Sequence, residues 1–161
     1  MPRSQEIVIR PARKTDMQTL VKIDTFGKQL NSYRGLDKLD PEYKKANGSV
    51  AYFEKYRLEK DKWCYVAQDN RAIVGFILFA IEKRPDYFKI KRVGYLDLVF
   101  VIPRARGRGI ARMLISDATR VLKAKGMRDL KLSVHSDNAA QHAWKELGFN
   151  EYRIDMWKTI R

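Results

Sequence analysis

Residues 95 to 113 decide the fold of this chain, and they read YLDLVFVIPRARGRGIARM. The first part is apolar apart from Asp97, which predicts a buried strand that ends before Pro103. A basic loop with two glycines follows, and an amphipathic helix begins at Gly109. Glycines tolerate positive φ angles, so successive N–H groups of this loop can point at one anion. The helix dipole adds positive charge there, and the stretch therefore predicts a phosphate-binding site.

The composition favours a globular protein of one domain, residues 1–161, with 45% apolar residues. The single cysteine, Cys64, excludes an internal disulfide and a thiolate metal cage, and it suits a reducing cytosol. The first residues lack the apolar core of a signal peptide, and the run Ala72 to Ile81 is about half as long as a membrane helix. We therefore expect a soluble, cytoplasmic protein with no membrane partner.

The chain is strongly basic. It has 33 Lys and Arg against 19 Asp and Glu, a formal net charge of +14 and a pI near 10.0. Such a charge bears on solubility and on polyanionic partners, not on the fold. Two interpretations remain open, a solvated basic surface and a surface that binds nucleic acid or the ribosome.

Hydrophobic periodicity predicts the other elements. The predicted strands are 6–10, 63–67, 73–82, 130–135 and 149–160. The predicted helices begin at Thr15 or Asp16, span 50–58 and 109–125, and begin after a cap at Asp137. Hairpin strands followed by two strand–helix units indicate a mixed α/β sheet with helices on both faces. The aromatic and basic segment 27–61 is either a substrate wall or part of the core.

The glycine loop becomes a specific signal only together with a second motif. The loop alone is neither a dinucleotide fingerprint, because Arg112 stands where the third glycine belongs, nor a P-loop. Residues 106–111 read RGRGIA, which fits the pattern Gln/Arg-x-x-Gly-x-Gly/Ala, and residues 137–149 read DNAAQHAWKELGF. Together these closely resemble the two signature motifs of the GNAT superfamily of acyl-CoA N-acyltransferases. The order of elements resembles that family over nearly the whole chain, including residues 9–12.

The resemblance implies a GNAT-like fold, in which a mixed, mostly antiparallel sheet splays apart after Tyr95 and Leu130. It also implies acetyl-CoA, or another short acyl-CoA, as co-substrate. The backbone of Val99, Phe100 and Val101 would pair with the pantetheine amides, as an added strand does. The Val101 N–H would be the oxyanion donor. The pyrophosphate would lie on the loop formed by Arg106, Gly107, Arg108, Gly109, Ile110, Ala111 and Arg112.

Asp97 and Trp144 are the side chains on which a mechanism depends. Asp97 lies where many family members carry an acidic base, and it is predicted either to accept a proton through water or to pair with an arginine. Trp144 replaces the tyrosine that the family is thought to use as general acid. An indole N–H is too weak an acid for that role, although it can pack against pantetheine. Asn138 is a second candidate contact for pantetheine, although the asparagine of the family aligns more closely with Asp137.

The remaining polar candidates favour structural roles. His135 is either a base or carboxylate ligand, or a half-exposed structural histidine, which is the commoner outcome. His142 is expected on the surface and Cys64 in the core. Two separated histidines and one cysteine offer no metal site.

Two function hypotheses follow from these observations. The first is an acetyl-CoA-dependent N-acetyltransferase that acts on a primary amine, which is a protein N-terminus, a lysine or a small molecule. The second is a GNAT-like binding module with vestigial catalysis that uses its basic surface to bind RNA or ribosomes. A dimer is compatible with either hypothesis.

Overall fold

Five strands form one sheet at the centre of the structure, which is a computed structural model describing residues 6–45 and 48–160. The strands lie in the order β1 (Ile7–Pro11), β2 (Lys62–Asp69), β3 (Ala72–Lys83), β4 (Arg92–Val101) and β5 (Leu130–Leu132). The pairs β1–β2, β2–β3 and β3–β4 are antiparallel, and β5 is parallel to β4. The predicted mixed, mostly antiparallel sheet is confirmed.

The helices lie in two groups along the chain. Between β1 and β2 come α1 (Met17–Ile23), α2 (Phe26–Ser32), α3 (Pro41–Lys45) and α4 (Gly48–Leu58). After β4 come α5 (Ile110–Ala124) and, beyond β5, α6 (Gln141–Glu146). The predicted helices at 50–58 and 109–125 are confirmed to within two residues. Among the residues described, no helix is both long and apolar enough to cross a membrane.

Neighbouring residues of β3 show that helices cover both faces of the sheet. Phe76 meets Phe53 of α4 edge to face, with ring centroids 5.1 Å apart. A Cβ atom placed on Gly75 would lie 3.5 Å from Leu114 Cδ1 of α5. Successive residues of a strand point to opposite faces, so α4 and α5 lie on opposite sides of the sheet. The predicted helices on both faces are confirmed.

An ion pair fixes the path from β1 into α1. Asp16 is only 8% exposed, and Arg10 donates two hydrogen bonds to it, at 2.8 and 3.1 Å. The N–H of Arg13 donates a third at 2.6 Å. Burial acts to raise the pKa of Asp16, but the bonds from Arg10 and Arg13 outweigh it and hold the pKa below its usual range. Asp16 directly precedes α1, but its carboxylate binds Arg10 and Arg13 and makes no hydrogen bond to that helix, so the predicted cap is absent.

The end of the chain differs from the prediction. Strands were expected at 149–160, but residues 149–160 are irregular, and Ile154 and Met156 are 80% and 91% exposed. The alternation of apolar residues there resembles a strand, but no neighbouring strand beyond β5 pairs with it in the described part of the chain. The prediction for β5 was also too long, because this strand ends at Leu132 and not at His135.

Candidate active site

A bulge in β4 sets the position of Asp97. Leu98 lies opposite Leu78 of β3 and Leu96 lies opposite Phe79, so Asp97 has no partner on β3. A bulge interrupts the alternation of a strand and re-aims the extra side chain. The direction of the Asp97 side chain therefore does not follow from simple alternation along β4.

The edge of β4 beyond the bulge lies open. The parallel pairing with β5 joins Gly94–Leu96 to Leu130–Leu132 and stops there, so the two strands separate where the resemblance placed the opening. On the other edge, the N–H of Ile102 donates to Val74 of β3 at 2.9 Å. Because N–H direction alternates along a strand, the N–H groups of Val99 and Val101 point toward the open edge.

The loop after β4 presents backbone rather than side chains. Gly107 and Gly109 have φ angles of +76° and +74°, and a Cβ atom on either would meet nothing within 4 Å. The left-handed backbone, not crowding, therefore explains the glycines. The first N–H groups of a helix have no acceptor within it, so the start of α5 offers donors to an anion.

Two arginines of this loop hold it against the sheet. Arg106 Nε donates to the carbonyl of Val101 at 2.9 Å, and Arg108 pairs with Asp69 at the end of β2 at 2.7 Å. The side chain of Arg112 lies farther along α5, in a shallow depression beside Ile9. The backbone of the loop is therefore better placed for phosphate binding than the guanidinium groups of Arg106 and Arg108.

Asp97 lies among tyrosines. The hydroxyl of Tyr52 donates a hydrogen bond to Asp97 Oδ2, and Tyr56 packs edge to face on Tyr52 with ring centroids 5.4 Å apart. Burial, and then the charge of Asp97, raise the pKa of Tyr56 well above its usual value. Within the described residues no ion pair joins Asp97 to an arginine. The described contacts therefore favour a tyrosine partner for Asp97 over the predicted arginine.

The sequence reasoning missed this contact. Tyr56 is only 6% exposed, but the hydroxyl of the half-buried Tyr52 reaches β4. The signal was the spacing of Tyr52 and Tyr56, four residues apart on one helix face, since buried phenol hydroxyls require partners.

Asp97 and Trp144 line one cleft of about 1100 Å³. Its walls come from α2 and the loop after it, from the end of β5 and the residues that follow, and from residues 149–157. The Trp144 ring meets Phe149 edge to face, with centroids 5.6 Å apart. Part of segment 27–61, including Leu30 and Arg34, thus forms a cleft wall, while Phe53 lies in the core. The core interpretation is confirmed for Phe53, and the role of the cleft-lining residues as a substrate wall stays a prediction.

His135 stabilises the wall of the cleft through both of its ring nitrogens. The backbone N–H of Asp137 donates to His135 Nδ1 at 3.0 Å, so Nε2 carries the proton and donates to the carbonyl of Arg34 at 2.8 Å. The ring of Tyr33 stacks on the imidazole with centroids 4.4 Å apart. With both ring nitrogens engaged, the structural role predicted for His135 is the one the contacts favour.

The residues expected to start α6 are placed differently. Asp137 does not cap the helix but pairs with Arg34 at 2.9 Å, and hydrogen bonds from Arg34 lower its pKa to about 2. Asn138 accepts a hydrogen bond from the N–H of Ala140 at 2.9 Å, and α6 begins only at Gln141. The Asn138 amide oxygen therefore stabilises the turn before α6.

Cys64 is buried, and burial raises the pKa of its thiol to about 12, which agrees with the predicted core position.

Residues 30–149 match the acetyltransferase (GNAT) family. The chain belongs to this family. It is 31% identical over 153 residues to an uncharacterized N-acetyltransferase of Methanocaldococcus jannaschii, covering 91% of this chain and 62% of that protein. It is 34% identical over 94 residues to a mycothiol acetyltransferase of Amycolatopsis mediterranei, covering 57% of this chain and 31% of that one. The chain thus spans less than two thirds of the length of these two relatives.

A further relative supports the same family, and two crystal structures share the fold. An uncharacterized N-acetyltransferase of Archaeoglobus fulgidus is 31% identical over 136 residues, covering 81% of this chain and 83% of that protein. The aminoglycoside N-acetyltransferase AAC(6')-Iy in complex with CoA shares the fold, with a TM-score of 0.77 at 23% identity over 100% and 99% of the two chains. A predicted acetyltransferase from Clostridium acetobutylicum with acetyl-CoA has a TM-score of 0.73 at 20% identity, covering 97% of this chain and 96% of that one. The family and the GNAT-like fold are confirmed, and these proteins lend no support to an RNA-binding module.

Proposed function

We propose that this protein is an acetyl-CoA-dependent N-acetyltransferase that acts on a primary amine. The observation that carries the proposal is the open edge of β4, which lies between the bulge at Asp97 and the glycine loop at the start of α5. These features place a proton acceptor, a series of strand amides and an anion site one after another. An extended chain of amides that ends in a pyrophosphate matches the strand amides and the anion site.

The residues present fit coenzyme A. The N–H groups of Val99 and Val101 face the open edge and would bond the pantetheine amides as a neighbouring strand does. Open space over Gly107 and Gly109 leaves room for phosphate oxygens at the start of α5. Backbone donors cannot lose their protons, so this binding should depend little on pH. Residues 107–112 would hold the pyrophosphate, with Arg106 and Arg108 fixing the loop.

Bound acetyl-CoA would supply a thioester: the amine nitrogen would bond to its carbonyl carbon, the carbon–sulfur bond would break as the thiolate leaves, and the surplus proton on the nitrogen would pass to solvent. An amine reaches the site protonated at neutral pH, and the carboxylate of Asp97 would take that proton through a water molecule. The N–H of Val101 would donate to the carbonyl oxygen as negative charge develops on it.

Trp144 would act by position and not by proton transfer. It lines the cleft with Asp97, and its indole ring is fixed against Phe149. Since an indole N–H does not give up its proton near neutral pH, the sulfur would leave as the thiolate and take its proton from solvent. Asn138 would then act on the pantetheine arm only indirectly, through the turn that leads to α6.

The experiment has two parts. Acetyl-CoA at about 100 times its Kd should raise the stability by about 2.7 kcal/mol, which is about 5–10 °C in Tm, whereas ADP at equal concentration should not. Thiol release is then followed with protein N-terminal peptides, lysine peptides and small amines, and the product is identified by its added acetyl mass. Equal stabilisation by ADP, or no thiol release with any amine, would contradict the proposal.

A further inference from the structure

We infer that Tyr52 is a positioning residue for Asp97: its hydroxyl holds one carboxylate oxygen and so fixes the carboxylate that accepts the proton of the amine. The inference rests on the proposed function, because it assigns a partner to the proposed base. It also brings α4, which lies outside the two signature motifs, into the proposed catalytic site.

The bulge explains why Asp97 needs a partner of this kind. A side chain in a regular strand is oriented by the ladder on both sides, but Asp97 has no partner on β3, and the pairing of β4 with β5 ends one residue earlier. The hydrogen bond from Tyr52 to Oδ2 supplies the missing restraint. Tyr56 is a second hydroxyl close to the same carboxylate, and Asp97 also lines the cleft, where water or an amine can reach it.

The core fixes Tyr52 in turn. Phe53, the next residue, is 1% exposed and packs on Phe76 of β3, so α4 cannot slide along the sheet without opening the core. Tyr56 lies one turn farther along the same helix face and supports the Tyr52 ring. The hydroxyl of Tyr52 is therefore delivered to β4 by a rigid element.

The donor also matches the chemistry of a base. Burial first, and then the bond to Asp97, raise the pKa of Tyr52 far above its usual value, so it donates at every physiological pH. The other groups that face Asp97 are Tyr56 and Tyr95, and the Lys131–Glu82 ion pair lies beyond Tyr95. Tyr52→Phe should therefore remove one donor to the Asp97 carboxylate and leave its neighbours in place.

The test compares Tyr52→Phe with Tyr65→Phe, a half-buried tyrosine of β2 that packs on Phe79 away from Asp97. The ¹³C chemical shift of the Asp97 carboxyl carbon is recorded at neutral pH, and kcat and KM are measured. We expect Tyr52→Phe to change the Asp97 carboxyl resonance and to lower kcat about 10-fold, because one hydrogen bond to a charged group is lost. The KM for acetyl-CoA should not change, and Tyr65→Phe should match the wild type in both measurements.

The double variant Tyr52→Phe/Asp97→Asn separates positioning from a structural effect. If Tyr52 acts through Asp97, Tyr52→Phe should change the rate less than twofold in the Asp97→Asn background. An unchanged Asp97 carboxyl resonance in a folded Tyr52→Phe protein would overturn the inference, while a loss of activity in Asp97→Asn would still uphold the proposed base. If Asp97→Asn keeps full activity, the proposed base fails, and the carboxyl resonance still decides whether Tyr52 holds Asp97.

Discussion

Gly109→Ala should weaken acetyl-CoA binding without disturbing the rest of the protein. Gly109 has a φ of +74°, directly before α5, and a Cβ atom there would meet nothing within 4 Å. The substitution therefore acts through backbone conformation alone. A residue other than glycine disfavours the left-handed region by about 1–2 kcal/mol.

The exposure of the loop determines whether this conformational cost lowers the stability of the free protein or its affinity for acetyl-CoA. Gly109 is exposed and nothing packs over it, so the free protein can relax the loop of Gly109→Ala toward negative φ. Binding a pyrophosphate would then require the left-handed geometry to be restored. A penalty of about 1–2 kcal/mol raises the Kd for acetyl-CoA about 5- to 30-fold.

Gly126→Ala is the matched control. Gly126 follows the other end of α5, has a φ of +85° and also has open space around its Cβ position. Both variants should lose at most about 1–2 kcal/mol of stability, and only Gly109→Ala should lose affinity by isothermal titration calorimetry. An unchanged Kd in Gly109→Ala, or equal losses in the two variants, would refute the assignment of the loop as the phosphate site.

Three other substitutions test the remaining contacts. Asp97→Asn should lower kcat/KM about 10²- to 10⁴-fold at neutral pH and much less at high pH, where the amine is already neutral; a uniform loss would argue against a base. Asp16→Ala breaks a buried ion pair and should cost about 3 kcal/mol, or about 6–12 °C in Tm. Because the pKa of Asp16 is lowered in the folded protein, the stability advantage of the wild type over Asp16→Ala is complete above about pH 4 and disappears as the pH falls through that lowered pKa. Equal Tm values for the two proteins at pH 7 would be inconsistent with the ion pair. Asp137→Asn should speed hydrogen exchange at the Arg34 amide, which donates to the Asp137 carboxylate at 2.8 Å; an unchanged exchange rate would show that the contact does not hold the cleft wall.

Local patterns predicted the half of the site built from consecutive residues. The run 95–113 folds as a strand, a glycine loop and a helix because apolar residues, Pro103 and Gly109 specify each boundary within a few residues. The open edge of β4 came from family resemblance, and the structure shows it where β5 ends. Periodicity gave α5 because its apolar face repeats at helical spacing over fifteen residues.

Contacts between distant residues could not be predicted in this way. The bulge that isolates Asp97 is a mismatch between β3 and β4, and neither strand shows it alone. The Tyr52 contact crosses 45 residues of chain. At the C-terminal end, the alternation of residues 149–160 predicted strands, but a strand also needs an edge to pair with. Asp137 likewise has the residue type of a helix cap, yet Arg34 takes its carboxylate.

Amide hydrogen exchange along β4 tests the central claim most directly, because that claim is that the open edge of β4 receives the acyl donor. Acetyl-CoA at saturation should slow exchange at the Val99 and Val101 amides at least tenfold. The Ile102 amide, already bonded to Val74 at 2.9 Å, serves as the internal reference and should change little. If acetyl-CoA binds while the Val99 and Val101 amides exchange at their free rates, the donor lies elsewhere, and the proposed mechanism is contradicted.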